Sequence, residues 1–364
     1  MTKILKNEIF MIIGALVAVG AIFGEHSLVG HGQTVALVAT AVIVLAMILV
    51  STRIAHHAEV LAARVGDPYG SMILTISAVA VEVVILAIIM QAGESEPTLV
   101  RDTIYSAVMI DINGMIGLAA LLGGLRHGEQ SYNDDSGRTY AVMILTAMGI
   151  SMIVPEFIPE ASRVTYSIFT IAAMLTLYSL FVRMQVGQHS YFFSYVYPRG
   201  QGADREAHEQ ELKGSVTGAV IGLAVGIILV GAMAEVMSPL LNTGLKGTGA
   251  PLGLIAVLVA AMSAAPEVLT ALRAALANRM QVVVNIAMGA SLSTVILTVP
   301  IMEALSLITD HHIQMAMTPT QTVMTGITIV VAAINFSDGE TNAIEGMAHF
   351  VLFATFVMLT VMGL

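Results

Sequence analysis

Residues Leu74–Met90 read LTISAVAVEVVILAIIM: one charged side chain, Glu82, in an apolar run with no basic residue beside it. A charge at the centre of a membrane helix costs about 2.5–3.5 kcal/mol on insertion scales, so a carboxylate there needs a reason. On a helix its neighbours at i−4, i−7 and i−11 are Ala78, Thr75 and Ser71. That small, weakly polar stripe permits close helix approach and turns hydroxyls toward a cavity. A protonated glutamate held inside the bundle is the plain alternative. The bare acid on a small-residue face favours a functional one.

The rest of the chain repeats this apolar texture. Of 364 residues, 57% are hydrophobic and 11% charged, and the mean hydropathy is +0.86. A soluble domain carries roughly 25% charged residues. Apolar segments of about 20 residues match the hydrocarbon thickness of a bilayer, and their continuity excludes the alternation of a transmembrane barrel. The absence of cysteine removes disulfide and thiolate chemistry, and a net charge of −10 argues against nucleic acid. The start, MTKILKNEIFMIIGALVAVGAIFG, has signal-like features, but no cleavage site precedes EHSLVGHGQT. It is expected to be a retained first span.

The expected fold is an all-α polytopic membrane protein with eleven transmembrane helices. Spans are predicted near 9–24, 33–54, 70–91, 103–123, 139–156, 163–184, 214–238, 251–273, 280–302, 320–336 and 344–363. With the N-terminus inside, twelve Lys and Arg residues fall in cytoplasmic segments and three (Arg101, Arg163, Lys246) outside. That bias predicts a cytoplasmic N-terminus and an external C-terminus. The hydrophilic stretch from Val186 to Gly214 separates six spans from five. The division predicted is a leading helix (1–32), a five-helix repeat (33–185), a cytoplasmic linker (186–213) and a second, inverted repeat (214–364). Inverted repeats are typical of secondary transporters, whose substrate sites lie at the repeat interface. The second span of the second repeat, VAAMSAAPEVLTAL, carries Glu267 in the place Glu82 takes in the first.

Glu267 follows Pro266, which donates no backbone hydrogen bond, so the Met262 carbonyl loses its helical partner. A free carbonyl beside a carboxylate is a cation ligand in waiting; a simple proline kink is the alternative. Ser263 shares the face of Glu267. Asp111, in SAVMIDINGMIGLAALLGG, is the third acid well inside a span. Asn113, two residues on, points elsewhere around the helix, so only one of them faces a site fully. Asn285, Gly289 and Ser293 recur at four-residue intervals on one face, where close packing competes with ligation. Most histidines fall in loops; His349 lies within the last span and reads as structural. No metalloprotease, phosphate-loop or nucleophile-elbow motif is present, and His349 is the only intramembrane base for a serine, so an enzyme is not expected.

Paired intramembrane carboxylates suit a hard cation bound through oxygen. When the ion leaves, two uncompensated acids bind protons instead, and titrate as a pair. Glu82 and Glu267 are therefore the expected metal-binding acids. The ion is cargo rather than a resident cofactor, and no cofactor is expected.

Several motifs together resemble the cation/calcium exchanger superfamily, in its cation–proton branch. They are HHAEVLAARVGDPYGSMIL, Glu82 in its helix, PTLVRDTIYSAVMI, LLGGLRHGEQSYN, SAAPEVLTALRAALANRMQVVVNIAMGASLSTVILTVP and NFSDGETNAIEGMAHFVLF. The resemblance covers nearly the whole chain. It implies eleven spans, an inverted repeat, alternating access around Glu82 and Glu267, and a bacterial inner membrane. The calcium-exchanging members place Gly-Asn-Ala before each glutamate, where this chain has Ala78-Val79-Ala80 and Ser263-Ala264-Ala265. Both asparagine ligands are absent, which leaves room for sodium or potassium. In place of the family's amide ligands on the following helices stand Asp111 or Asn113 and Ser293. The family's acidic linker survives diluted in ADREAHEQE, making Glu206, His208, Glu209 and Glu211 regulatory candidates.

The expected function is a cation:proton antiporter for calcium, sodium or potassium. A sodium–calcium exchanger is the rival within transport, and a passive cation channel the rival from another class. Expected partners are inorganic cations, membrane lipid and, as a homo-oligomer, further copies of the chain.

Overall fold

The computed structural model describes residues 8–65, 69–91, 96–187, 190–193, 195, 215–251 and 253–364. The regulatory candidates Glu206, His208, Glu209 and Glu211, and the side chain of Ser71, lie outside the described residues. The long helices run in order α1 (Ile9–Gly30), α2 (Gln33–Val65), α3 (Tyr69–Gln91), α4 (Leu99–His127), α5 (Asp134–Phe157), α6 (Arg163–Val186), α7 (Val216–Leu245), α8 (Gly253–Leu276), α9 (Met280–Thr309), α10 (Pro319–Asn335) and α11 (Ala343–Val361). Each covers one of the apolar runs. Among the described residues ten helices are long and apolar enough to cross a membrane. α10, with 17 residues, spans about 25 Å, short of the ~30 Å hydrocarbon core.

Local chemistry sets several helix starts. Asn133 accepts from the Asp135 amide at the head of α5. Thr318 and Gln321 form a reciprocal capping box ahead of α10, with Pro319 in the first turn, where its missing N–H costs nothing. Asn342 accepts from the Ile344 and Glu345 amides at the start of α11. The helices are not uniformly α. π-Helical segments interrupt α4 at Met109–Ile116, α5 at Gly149–Ile153 and α9 at Thr294–Thr298.

The helices fall into two compact units: α1, α2, α3 and α7 in one, α4–α6 and α8–α11 in the other. In the first, α7 lies along α2 through small residues. A Cβ at Gly222 would strike the His57 ring, and one at Gly226 would come within 2.5 Å of Ile54. Glycines four apart let the two backbones approach as membrane helices do. Near the start of α1, Glu8 bonds Arg53 at 2.6 Å and the His57 ring at 3.3 Å. Burial alone would raise the Glu8 carboxyl, but the Arg53 hydrogen bond and charge, with His57, outweigh it and hold it below its ordinary value.

In the second unit, α4 and α11 touch backbone to backbone: a Cβ at Gly117 would come within 2.7 Å of the Phe350 nitrogen. The loops after α4 and before α11 meet in a short antiparallel bridge, β1 (Gln130–Ser131) with β2 (Glu340–Thr341), pairing Gln130 with Thr341 and Ser131 with Glu340. These are the loops containing LRHGEQS and SDGETN. Gln130 is buried there and donates to the Ala275 carbonyl at 2.9 Å and to Asn278 at 3.0 Å, tying the end of α8 to the bridge. At the head of α4, Arg101 is buried, bonds Asp102 at 2.8 Å and donates to the Ala316 carbonyl at 2.9 Å; Gln321 donates to the same carboxylate. Arg101, an external basic residue in the sequence reading, is a structural tie of this unit.

Candidate cation site

Glu82 lies in α3 of the first unit and is 3% exposed. Val79 is buried one turn before it. The apolar run thus delivers what its hydropathy implied, a carboxyl shielded within the protein.

The other candidates belong to the second unit. Glu267 is half-buried in α8, and Pro266 is accommodated inside an unbroken helix. Having no N–H, Pro266 leaves the Met262 carbonyl without its helical donor, and Met262 is buried. Around the proline, hydroxyls bond backwards along the same helix: Ser263 donates to the Ala260 carbonyl at 2.9 Å and Thr270 to the Pro266 carbonyl at 3.0 Å. α8 packs against α4 and α9, the two helices that hold the remaining candidates.

Asp111 and Asn113 are both fully enclosed in the π segment of α4, and they engage different partners, as their two-residue spacing requires. Asp111 accepts a hydrogen bond from the Ser291 hydroxyl of α9 at 3.2 Å. The Asn113 amide nitrogen donates to Thr328 of α10 at 2.7 Å, and its oxygen lies 3.0 Å from Nδ1 of His349 in α11. Because the oxygen can only accept, the Nδ1 of His349 carries the hydrogen of that bond.

The face chosen from sequence on α9 serves other ends. Ser293 turns its hydroxyl onto the Gly289 and Ala290 carbonyls. Asn285 donates to the Phe193 carbonyl at 2.8 Å and accepts from Gln281 at 2.9 Å, anchoring the segment Ser190–Phe193. Ser291, two residues before Ser293 and so on another face, is the hydroxyl that reaches Asp111. The sequence reading did not single it out, because the four-residue periodicity of Asn285, Gly289 and Ser293 follows another stripe of the helix. His349, read as structural, bonds one of the site candidates directly. Its signal was present in the sequence: it is the only histidine of the last span.

The two glutamate helices share one further feature. The π segment of α4 begins 27 residues after Glu82 (82 to 109), and that of α9 begins 27 residues after Glu267 (267 to 294). π segments open an extra residue in the backbone ladder and recur at functional sites. Among the described residues no group of three or more His, Asp and Glu side chains gathers as a preformed metal cage.

Comparison with known proteins identifies the family and the fold. The sodium/calcium exchanger protein family model matches residues 35–187 and 218–362. The chain is 33% identical over 306 residues to the sodium-potassium/proton antiporter ChaA of Escherichia coli, covering 84% of each protein. It is 24% identical over 361 residues to the Ca2+/H+ antiporter ChaA of Bacillus subtilis, covering 98% of each. Among solved structures, native YfkE superposes with a TM-score of 0.76 at 19% identity, over 97% of this chain and 99% of that one. The H+/Ca2+ exchanger CAX gives 0.69 at 14% identity, over 97% and 88%. At these identities the two structures show a shared fold.

Proposed function

Since the chain belongs to the sodium/calcium exchanger protein family, we propose that it is a secondary active cation:proton antiporter of a bacterial inner membrane, exporting calcium, sodium or potassium against protons. It has eleven spans, a cytoplasmic N-terminus and a periplasmic C-terminus. Glu82 and Glu267 are its paired acids, one from each inverted repeat, and exchange proceeds by alternating access.

The observation that carries this reading is the equivalent placing of the two acids. Each sits in an apolar helix, and each is followed at the same distance by a helix with a π segment. Two ionised carboxylates neutralise a divalent ion, or hold sodium or potassium with neutral oxygens such as the Met262 carbonyl. Once the ion leaves, uncompensated charge in a low dielectric is too costly to keep, so the acids take up protons. The site alternates between cation and protons, which makes the exchange obligatory. Asp111, steadied by Ser291, is a third carboxyl within the same repeat logic. The replacement of asparagine by Val79 and Ala264 removes two neutral oxygen ligands and shifts preference from calcium toward monovalent ions.

The test uses inverted membrane vesicles with an imposed pH gradient. Addition of sodium, potassium or calcium is expected to dissipate it. A gradient indifferent to all three would sink the reading, and sodium-driven calcium flux indifferent to pH would replace it with sodium–calcium exchange.

A further inference from the structure

The proposed exchange site leaves one buried acid unused. Glu303 lies in the last helical stretch of α9, Val299–Thr309, and is 4% exposed. α6 packs over this stretch, and its Ser167 hydroxyl hydrogen-bonds the Glu303 carboxyl. The second oxygen, Oε2, has no hydrogen-bond partner among the described residues.

Among the described residues no Lys or Arg pairs with this carboxyl. α9 has no Lys or Arg of its own between Met280 and Thr309. The charged and titratable residues of α6 are Arg163, Tyr166, Tyr178 and Arg183. Arg163 is half-exposed and lies 3.8 Å from Glu160. Arg183 is 16 residues beyond Ser167, about 24 Å along the helix. Tyr166 gives its hydroxyl hydrogen to the Ile150 carbonyl at 2.7 Å. A metal ion is no better an occupant. Sodium or calcium needs about six oxygens; among the described residues the one hydroxyl bonded to this carboxyl is that of Ser167, and the Thr170 hydroxyl, one turn further along α6, is turned onto the Tyr166 carbonyl. A buried carboxyl without cation, metal or a full set of donors is held in its neutral form.

We propose that Glu303 is a proton-binding site in the membrane interior, separate from Glu82, Glu267 and Asp111, that holds a proton at neutral pH and exchanges it during transport. The exchange step is a proton transfer between the carboxyl oxygen and water: one O–H bond breaks as another forms, and nothing is oxidised or reduced. Glu303 shares α9 with Ser291, the partner of Asp111, 12 residues away or about 18 Å along the axis. Proton occupancy at one end of this helix thus adjoins the element that steadies the candidate site. The transport half of the proposal rests on the antiport reading above; the proton site itself does not.

Infrared spectroscopy of the purified protein in lipid tests it directly. The carbonyl stretch of a protonated, buried carboxyl is expected in the wild type, sensitive to deuterium, with one component missing in Glu303→Gln and displaced in Glu303→Asp. Identical spectra for wild type and Glu303→Gln would overturn the site. Glutamine copies the neutral acid in size and charge, so Glu303→Gln is expected to unfold at the wild-type temperature. If Glu303→Gln does not fold, the band displacement in Glu303→Asp decides instead, and a wild-type spectrum with no deuterium-sensitive carboxyl band altered in Glu303→Asp overturns the site. In vesicles, Glu303→Gln is expected to keep cation–cation exchange and lose proton-coupled flux; unchanged proton coupling would overturn the transport role. Absence of proton-coupled flux in the wild type would instead remove the antiport reading and leave the infrared result standing.

Discussion

Asp111 and Asn113 show how much of a site is decided by partners rather than by residue type. Two positions apart, they cannot face the same way, and their partners come from far along the chain: Ser291 for one, Thr328 and His349 for the other. The sequence identifies both as polar groups at membrane depth but cannot say which neighbour satisfies which. The glutamates are simpler, because an acid in an apolar run is conspicuous from the sequence alone. Replacing either with glutamine keeps size and removes only the ionisable charge. Glu82→Gln and Glu267→Gln are each expected to abolish proton-coupled cation flux while leaving unfolding within about 1 kcal/mol of wild type. The measurement is vesicle flux beside thermal unfolding. Flux surviving in both variants would take these residues out of the site.

At the scale of the element, hydropathy located the helices well and said little about their internal geometry. α2 runs to Val65, past the apolar run that announced it, and beyond that run His57 packs against Gly222 of α7. The π segments in α4 and α9 have no hydropathy signal, since a one-residue expansion of the ladder leaves composition unchanged. Pro266 is the exception: its chemistry is local, and the carbonyl it frees could be named from sequence. Pro266→Ala returns a donor to the Met262 carbonyl and replaces a residue about 3 kcal/mol less favourable in a helix interior. The variant is expected to be at least as stable as wild type and to bind the transported cation more weakly, by about tenfold if one neutral ligand is lost. Cation titration of flux decides it, and unaltered affinity would leave Pro266 as a kink alone.

For the whole molecule, charge and hydropathy are the legible quantities, and charged side chains gather at the ends of the apolar helices. The Glu8–Arg53–His57 cluster at the head of α1 is one such place. Glu8 is held below its ordinary value in the folded protein, so the unfolded chain binds its proton first as pH falls. The pair's contribution, about 0.5–1 kcal/mol, is therefore complete at neutral pH and is lost as pH drops through the folded value. Arg53→Gln is expected to lower the unfolding temperature at neutral pH, with the gap to wild type closing on acidification. A gap independent of pH would show that Arg53 acts through packing.

The amino-acid sequence alone determined that the chain is helical and membrane-embedded, roughly where each helix lies, and which acids are out of place. These follow from local quantities: runs of about 20 apolar residues, turn and capping residues at their ends, and the cost of an unpaired charge inside them. Only the tertiary structure decided that Ser291 rather than Ser293 reaches Asp111, that His349 holds Asn113, and that Glu303 is enclosed beneath α6. Each of those outcomes depends on residues more than a hundred positions apart meeting at hydrogen-bonding or packing distance. Nothing in a single helix's own composition specifies which face of another it will meet.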